Sequence, residues 1–303
     1  MKEIKFAGYK NYPINLYIWD EVDKPKCVVQ LVHGMVEHLG RYDEFARFLN
    51  SKGYIVLGDD HRAHGKTSGK ADLGKAPEGD CYWDTVEDLK LITDYAKEQY
   101  NLPLVLFGHS YGSFLSQGYI QSASDKLIAC VLCGSAFQDG ADIKAGRLVA
   151  NMQAALIGKD KPAKLIKKLS FDVYDKKFDP PVPFAWGNRD DAERQKYLDD
   201  EYCNYVCSIG FYQSFFNALK VICKQENIDK IKKDLPIFII SGDKDPVGKN
   251  GESVNKLYGK YKESGIENVT IKLYSGARHE ILNEINKQEV FDDVLSFLDK
   301  CNR

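Results

Sequence analysis

Leu104-Val-Leu-Phe-Gly108-His-Ser110-Tyr-Gly112 is the stretch on which the fold turns. Four apolar residues run into a glycine–x–serine–x–glycine pattern, and the segment Tyr111–Ser122 that follows has helical character. A buried strand that breaks sharply into a helix lifts the residue at the break clear of the sheet, so this order of elements exposes the Ser110 hydroxyl. Gly108 and Gly112 flank the break because a side chain at either position would crowd the turn. The helix that opens here points its unpaired N–H groups and the positive end of its dipole at any negative charge developing beside the serine.

Outward from this element the same alternation repeats. Cys27–Val32, Tyr54–Leu57, Leu127–Leu132 and Ile237–Ile240 are further continuous apolar runs, the pattern of strands covered on both faces. Helical patterns at Tyr42–Ser51, Thr85–Tyr100 and Val254–Ser264 separate them. Strand–helix alternation predicts a doubly wound, mostly parallel α/β sheet. Ile4–Tyr9 and Ile14–Trp19 flank the turn signal Asn-Tyr-Pro and predict an antiparallel hairpin at one edge. With Val269–Tyr274 the expected sheet has eight strands. One region lacks strands. Residues 137–207 hold the helical segments Ile143–Ile157 and Pro162–Ser170, then FDPPVPFAW, then a charged run. This reads as a helical cap inserted into a core made of residues 1–136 and 208–303, with Phe211–Ile222 as the return helix.

A serine hydroxyl is a weak nucleophile without a base, and the base needs an orienting acid. In a strand–elbow–helix enzyme these follow in the order serine, acid, histidine. His279 is the one histidine after the elbow; His33, His38, His61, His64 and His109 precede or adjoin Ser110. The acid comes from Ser241-Gly-Asp243-Lys-Asp245-Pro246. Asp243 could brace the turn itself, whereas Asp245 is set extended by the following proline and lies nearer the histidine loop, so Asp245 is the favoured partner. The expected oxyanion donors are backbone N–H groups: that of Tyr111, and that of Met35 in the loop after Cys27–Val32, where Gly34 lets the chain turn. His33 reads as a loop brace.

Other chemistries find no support. Forty-two Lys and Arg against 44 Asp and Glu leave a net charge of −2, without the basic excess of a nucleic-acid binder. Asp59, Asp60, His61 and His64 read as loop-bracing residues, so no metal is expected. No dinucleotide or phosphate-loop fingerprint accompanies the first strands, and no cofactor is expected. The N-terminus alternates like a strand rather than a signal peptide, and no apolar run approaches the roughly 18 residues of a membrane span. A cytoplasmic chain with reduced thiols is therefore expected. Cys130 and Cys133 fall on opposite faces of one strand, and Cys203 and Cys207 complete a set of packed thiols. The apolar helix Leu148–Ile157 reads first as packing over the cleft, with transient membrane-surface contact as the alternative. The basic stretch Lys159–Lys168 reads as a solvated face.

The motifs together resemble the monoacylglycerol lipase and lysophospholipase group of α/β hydrolases, within the S33-type hydrolases. His33-Gly-Met-Val-Glu37-His38-Leu-Gly-Arg41-Tyr42 is similar to that group's oxyanion loop, Asp60-His-Arg-Ala-His64-Gly65 to the segment after its next strand, and Gly108-His-Ser-Tyr-Gly112 to its nucleophile elbow. Gly242-Asp-Lys-Asp245 and Gly276-Ala-Arg-His279-Glu are similar to its acid and histidine loops, and Phe184–Glu193 through Tyr202-Cys-Asn to a cap segment of bacterial members. The resemblance implies an α/β-hydrolase fold, Ser110, Asp245 and His279 as catalytic triad, Met35 and Tyr111 as oxyanion donors, and 137–207 as a cap over an acyl-binding cleft. It implies hydrolysis of a small-molecule ester, a single-chain lipid such as a monoacylglycerol or lysophospholipid. The alternatives are a short-chain or aromatic esterase, then a peptidase or acyltransferase, and last a non-catalytic binding protein. Ser113 and Tyr111 depart from the group's usual residues, the latter with an expected effect on the cleft floor.

Overall fold

A computed structural model describes residues 1–302 of the chain; Arg303, the last residue of the expected core, lies outside them. Eight strands form one sheet: β1 (Lys2–Ala7), β2 (Pro13–Trp19), β3 (Cys27–Val32), β4 (Tyr54–Asp60), β5 (Leu104–His109), β6 (Ala129–Cys133), β7 (Ile237–Gly242) and β8 (Val269–Tyr274). Their spatial order is β1-β2-β4-β3-β5-β6-β7-β8. β1 and β2 pair antiparallel, as do β2 and β4, and every other pairing is parallel. The predicted edge hairpin and mostly parallel sheet are both present.

The continuous apolar runs form strands because both faces are covered. Leu104, Leu106 and Cys130 belong to the core on one face, and Val105, Phe107 and Cys133 to the core on the other. The helices are α1 (Asp43–Ser51), α2 (Gly65–Ser68), α3 (Cys81–Tyr100), α4 (Tyr111–Ala123), α5 (Ala141–Ile157), α6 (Lys164–Leu169), α7 (Phe171–Asp175), α8 (Asp191–Asp199), α9 (Ile209–Ile222), α10 (Gln225–Ile228), α11 (Glu252–Glu263) and α12 (Lys287–Cys301). Local chemistry sets their ends. The Asp190 carboxylate accepts from the N–H groups of Ala192 and Glu193 to open α8, and Ser208 accepts from Phe211 to open α9. Asn101 closes α3 in the left-handed conformation at φ 49°.

Several boundaries differ from the sequence reading. β1 ends at Ala7, with Tyr9 in a 3₁₀ turn, β4 runs on to Asp60 and α3 begins at Cys81. β6 begins at Ala129, not Leu127, after a single 3₁₀ turn at Ser124–Lys126. Within the expected Pro162–Ser170 the helix α6 covers Lys164–Leu169; it stops at Ser170, whose φ of −112° and ψ of −85° leave the helical region, and the further helix α7 follows.

The chain leaves β3 toward β4 on one side and later returns to place β5 on the other. This reversal of strand order opens a crevice at the carboxyl ends of β3 and β5, where open α/β sheets bind ligands. α5 to α8 lie between β6 and α9 and roof that crevice. No helix among the described residues is long and apolar enough to cross a membrane.

Candidate active site

Ser110 stands between β5 and α4 with φ 51° and ψ −118°. Such a conformation on a residue with a Cβ costs of order 1–3 kcal/mol and persists only where its surroundings hold it. The Ser110 N–H donates to the Cys133 carbonyl at 2.9 Å, and the Ser110 carbonyl accepts from the N–H groups of Ser113 and Phe114 at 2.8 and 3.2 Å. The Ser113 hydroxyl donates to the same carbonyl at 2.7 Å, so the departure at 113 braces the elbow. A Cβ on Gly108 would strike the Gly112 carbonyl, and one on Gly112 would strike the Val32 carbonyl. The two glycines are there for close approach of backbone to backbone.

His279 reaches the serine from the loop after β8. Its Nε2 lies 2.8 Å from Ser110 Oγ and its Nδ1 2.8 Å from Asp245 Oδ2. With Nδ1–H donating to the carboxylate, Nε2 is free to accept the serine proton. Burial alone would push the Asp245 carboxyl up, but His279, the Val247 N–H and the Ser241 hydroxyl hold it below the usual carboxylate range. Burial likewise opposes a charged His279 ring, yet Asp245 raises it above the ordinary imidazole value. The competing Asp243 does brace a turn, accepting from the Gly276 N–H at 2.8 Å. It thereby ties the acid loop to the histidine loop.

On the other side of Ser110 lies the β3 loop. Tyr111 is the first residue of α4, so its N–H has no intrahelical acceptor. The Met35 N–H makes no hydrogen bond to another described residue. Gly34 itself is not left-handed; the left-handed residue in this loop is Val36, at 62°. Gly34 is required because a Cβ there would sit 2.5 Å from Glu37 Oε1 and 3.2 Å from Ser110 Cβ. His33 braces the loop as read: its Nδ1–H donates to the Gly34 carbonyl at 2.7 Å and its Nε2 accepts from the His61 N–H at 3.0 Å. Burial holds its ring well below the ordinary imidazole value, hence neutral.

Of the residues considered as a ligand cluster, His64 Nδ1–H donates to the Arg62 carbonyl at 2.9 Å, while its Nε2 and Asp59 Oδ1 are buried without a hydrogen-bond partner among the described residues. His61 bonds Asp59 at 3.0 Å, and Asp60 accepts from the N–H groups of Leu39 and Lys66 at 2.9 and 2.7 Å. His38, Asp200 and Cys203 bring potential ligand atoms within 4.8 Å of one another. There, His38 Nδ1 accepts from the Gly40 N–H at 3.2 Å, so Nε2–H donates to Asp200 at 2.9 Å, and burial pushes the Cys203 thiol up. That arrangement is a hydrogen-bonded bridge from the loop after β3 to the insertion. All eight cysteines are free.

Ser110 and His279 open onto a cavity of about 490 Å³ walled on one side by the core and on the other by α5, α6 and α7. Its walls are largely aliphatic and aromatic, with Phe114, Val149, Phe215 and Phe216 among them. Tyr111 is buried in the floor, its ring 5.1 Å from Phe211 and 5.2 Å from Phe215.

Residues 23–286 match the family model described as serine aminopeptidase, S33. The chain belongs to that family. This S33 chain is a serine hydrolase, similar to monoacylglycerol lipases. It is 28% identical to a monoacylglycerol lipase of Mycolicibacterium smegmatis, covering 98% of this chain and 96% of that one. It is 25% identical to a monoglyceride lipase of Mus musculus, over 91% of this chain and 82% of the relative. Among solved structures, a thermostable carboxyl esterase from Bacillus coagulans in complex with glycerol superposes with a TM-score of 0.91 at 28% identity, covering 100% and 99% of the two chains.

Two groups of site residues in this S33 hydrolase had no role assigned from sequence. The first is a buried network. Arg41 donates to Glu37 at 2.5 Å and to both carboxylate oxygens of Glu280 at 2.5 and 2.9 Å. Glu37 in turn accepts from the Gly34 N–H at 2.5 Å and the Tyr42 hydroxyl at 2.8 Å. The loop before the serine and the loop bearing His279 are thereby held in one register. The second group is in the insertion. Trp186 lies 5.0 Å from the His279 ring, and its carbonyl accepts from the His279 N–H at 3.3 Å. Both signals were visible in the chain, Glu37 four residues before Arg41 and Glu280 next to His279, but pairing across 239 residues is decided only by folding.

Proposed function

We propose that this hydrolase cleaves carboxylic esters of single-chain lipids, monoacylglycerols or lysophospholipids, through an acyl-enzyme on Ser110. The observation that supports this best is the Ser110–His279–Asp245 hydrogen-bonded line at the floor of an apolar, aromatic cavity closed by the 137–207 cap. In this reading Ser110 Oγ attacks the ester carbonyl while His279 Nε2 takes its proton. The N–H groups of Met35 and Tyr111 stabilise the tetrahedral oxyanion. Collapse of the intermediate breaks the bond to the alcohol, which leaves with the proton from His279. A water, deprotonated by the same nitrogen, then attacks the acyl-enzyme and releases the fatty acid. Asp245 stays ionised throughout and holds the ring. The Arg41 network positions the donor loop against the histidine loop.

The relatives support a lipid ester: the mycobacterial and mouse proteins are lipases of monoacylglycerols by name. The fit to the Bacillus carboxyl esterase favours a second reading, hydrolysis of short-chain esters by the same groups. Two measurements separate these. A fluorophosphonate probe is expected to label the wild type and not Ser110→Ala; equal labelling of both removes the serine mechanism. On a panel of esters, kcat/KM is expected to rise from acetyl and butyryl esters to long-chain monoacylglycerols or lysophospholipids. Activity confined to the short esters selects the second reading.

A further inference from the structure

The end of β4 and the loop after it carry three fully buried groups that the mechanism leaves unused: Asp59, His61 and His64. β4 runs parallel beside β3, so its carboxyl end emerges next to the loop that holds Met35. There His61 and His33 bond each other twice. The His61 N–H donates to His33 Nε2 at 3.0 Å, and His61 Nε2 lies 3.2 Å from the His33 carbonyl oxygen. The two rings stack with centroids 3.9 Å apart, within 16° of parallel.

Counting protons fixes the direction of the second bond. A carbonyl oxygen only accepts, so a bare Nε2 on His61 would set two acceptors against each other, and Nε2 must carry a proton. His61 Nδ1 lies 3.0 Å from Asp59 Oδ2, a contact that needs a proton as well, on the ring or on the carboxyl. The pair therefore holds one proton more than an ionised carboxylate and a neutral imidazole would. It is the triad's Asp–His couple turned to another use. At His279 the Nε2 is bare and takes the proton of Ser110, whereas at His61 it is occupied and donates to the chain. His61 does not line the cavity, so it has no reacting atom to serve.

The chain it holds is the one that carries an oxyanion donor. In the His33–Gly34 peptide the carbonyl accepts from His61 and the N–H donates to Glu37 at 2.5 Å. In the next peptide, Gly34–Met35, the carbonyl accepts from His33 Nδ1–H at 2.7 Å, and the N–H is that of Met35. His33 can donate from Nδ1 because its Nε2 is taken by the His61 N–H. Three groups of two peptides are thus pinned, and the fourth, the Met35 N–H, is left to point at the site. A peptide whose carbonyl is hydrogen-bonded is also a more polarised donor. The other donor residue is reached from the same loop: the Tyr111 ring meets His61 edge to face at 6.3 Å and lies parallel to His64 at 6.0 Å. We propose that His61 is a positioning residue of this hydrolase, setting the Met35 and Tyr111 N–H groups on the tetrahedral oxyanion through the His33 carbonyl and the Tyr111 ring. This rests on the reading of those two groups as the oxyanion donors.

Two variants separate positioning from stability. In Asp59→Asn the amide can donate to His61 Nδ1, which leaves the ring neutral with its proton on Nε2. Asp59→Asn/His61→Phe keeps a ring against His33, loses the donor and strands no charge. Both are assayed below the onset of melting. On a soluble butyryl ester, kcat of the double variant is expected to fall about tenfold to a hundredfold below that of Asp59→Asn, the scale of a displaced reacting group, with KM little changed. Affinity for a trifluoromethyl ketone, whose adduct on Ser110 carries the oxyanion, should fall by the same factor. Nitrogen-15 NMR of the wild type at neutral pH is expected to find His61 Nε2 protonated. A bare Nε2, equal kcat in the two variants, or a fall in kcat without matching loss of ketone affinity would each overturn the proposal. Met35→Pro, which deletes the donor itself, is expected to cost about a hundredfold to a thousandfold. If Met35→Pro is harmless, the donor reading fails and the proposal with it. If it is damaging while the double variant equals Asp59→Asn, the role of His61 alone fails.

Discussion

The two halves of the insertion are held in different ways. Residues 184–207 are stitched into the catalytic loops. Arg278 donates to the carbonyls of Ala185 and Asn188 at 2.5 and 3.1 Å, the Glu280 N–H to Gly187 at 2.7 Å, Asn188 to the Asn283 carbonyl at 2.8 Å, and Arg189 to Glu284 at 2.8 Å. His38 and Asp200 tie the same half to the loop after β3. Residues 141–157 reach the rest of the molecule through few polar contacts, Asp142 with Lys249 and Asn151 with Gln213 at 2.9 Å. Their hold is packing, as where Gly146 lets α5 approach the Phe216 ring. One half therefore belongs to the catalytic scaffold although it lies in the insertion. The other is a roof that faces the cavity on one side and the surroundings on the other. Sequence reading treated 137–207 as one cap; its chemistry divides it.

The largest effect should come from the residue that orients the histidine to which the anchored half is bound. Asp245→Asn is expected to lower kcat about 10⁴-fold while leaving the fold intact. It also tests the charge balance at His279. The base works when neutral, and Asp245 raises the ring above its ordinary value, so wild-type kcat/KM should fall with decreasing pH through a midpoint above about 6.5. Without the carboxylate, burial still disfavours the charged ring, and the midpoint in the residual activity should move down. A midpoint that stays in place, measured on a soluble ester, would remove Asp245 from the mechanism.

A smaller loss is expected within the anchored half. Arg278→Met leaves the Ala185 and Asn188 carbonyls without their donor, at a cost of about 1–3 kcal/mol read in a urea melt. Because those carbonyls flank Trp186, which contacts His279, kcat on a soluble ester should fall as well. The smallest effect belongs to the roof: Asn151→Ala removes an exposed contact to Gln213 and should change stability by less than about 0.5 kcal/mol, with kcat on the same soluble ester unchanged. If Asn151→Ala proved as damaging as Arg278→Met, the division of the insertion would be wrong.

The alternation of strands and helices, the elbow at Ser110 and the eligibility of His279 were legible because each rests on local rules: apolar runs of strand length, the glycines a tight turn demands, and a chain order that leaves one histidine eligible; the spatial order of the strands was not. Asp245 over Asp243 was a narrower decision, and hydrogen bonding from Gly276 to Asp243 shows why both carboxylates are present. For Gly34 the structure adds a reason that the sequence did not show, room for Glu37 and Ser110, and the left-handed turn in the same loop falls on Val36, a residue whose type gives no hint of it.

What the chain by itself determined is thus the sheet, the elbow and the residue types of the site, since these follow from periodicity and from short-range steric demands. Tertiary structure alone decided that Arg41 bridges Glu37 and Glu280, that Trp186 closes on His279, and that, in the helix expected to pack over the cleft, Leu148, Met152 and Leu156 face outward while Val149 faces the cavity. The physical reason is common to all three. Hydrophobic pattern tells which side chains leave water, but not which partner 100 or 200 residues away receives them, nor which of two apolar helix faces finds no protein to cover it.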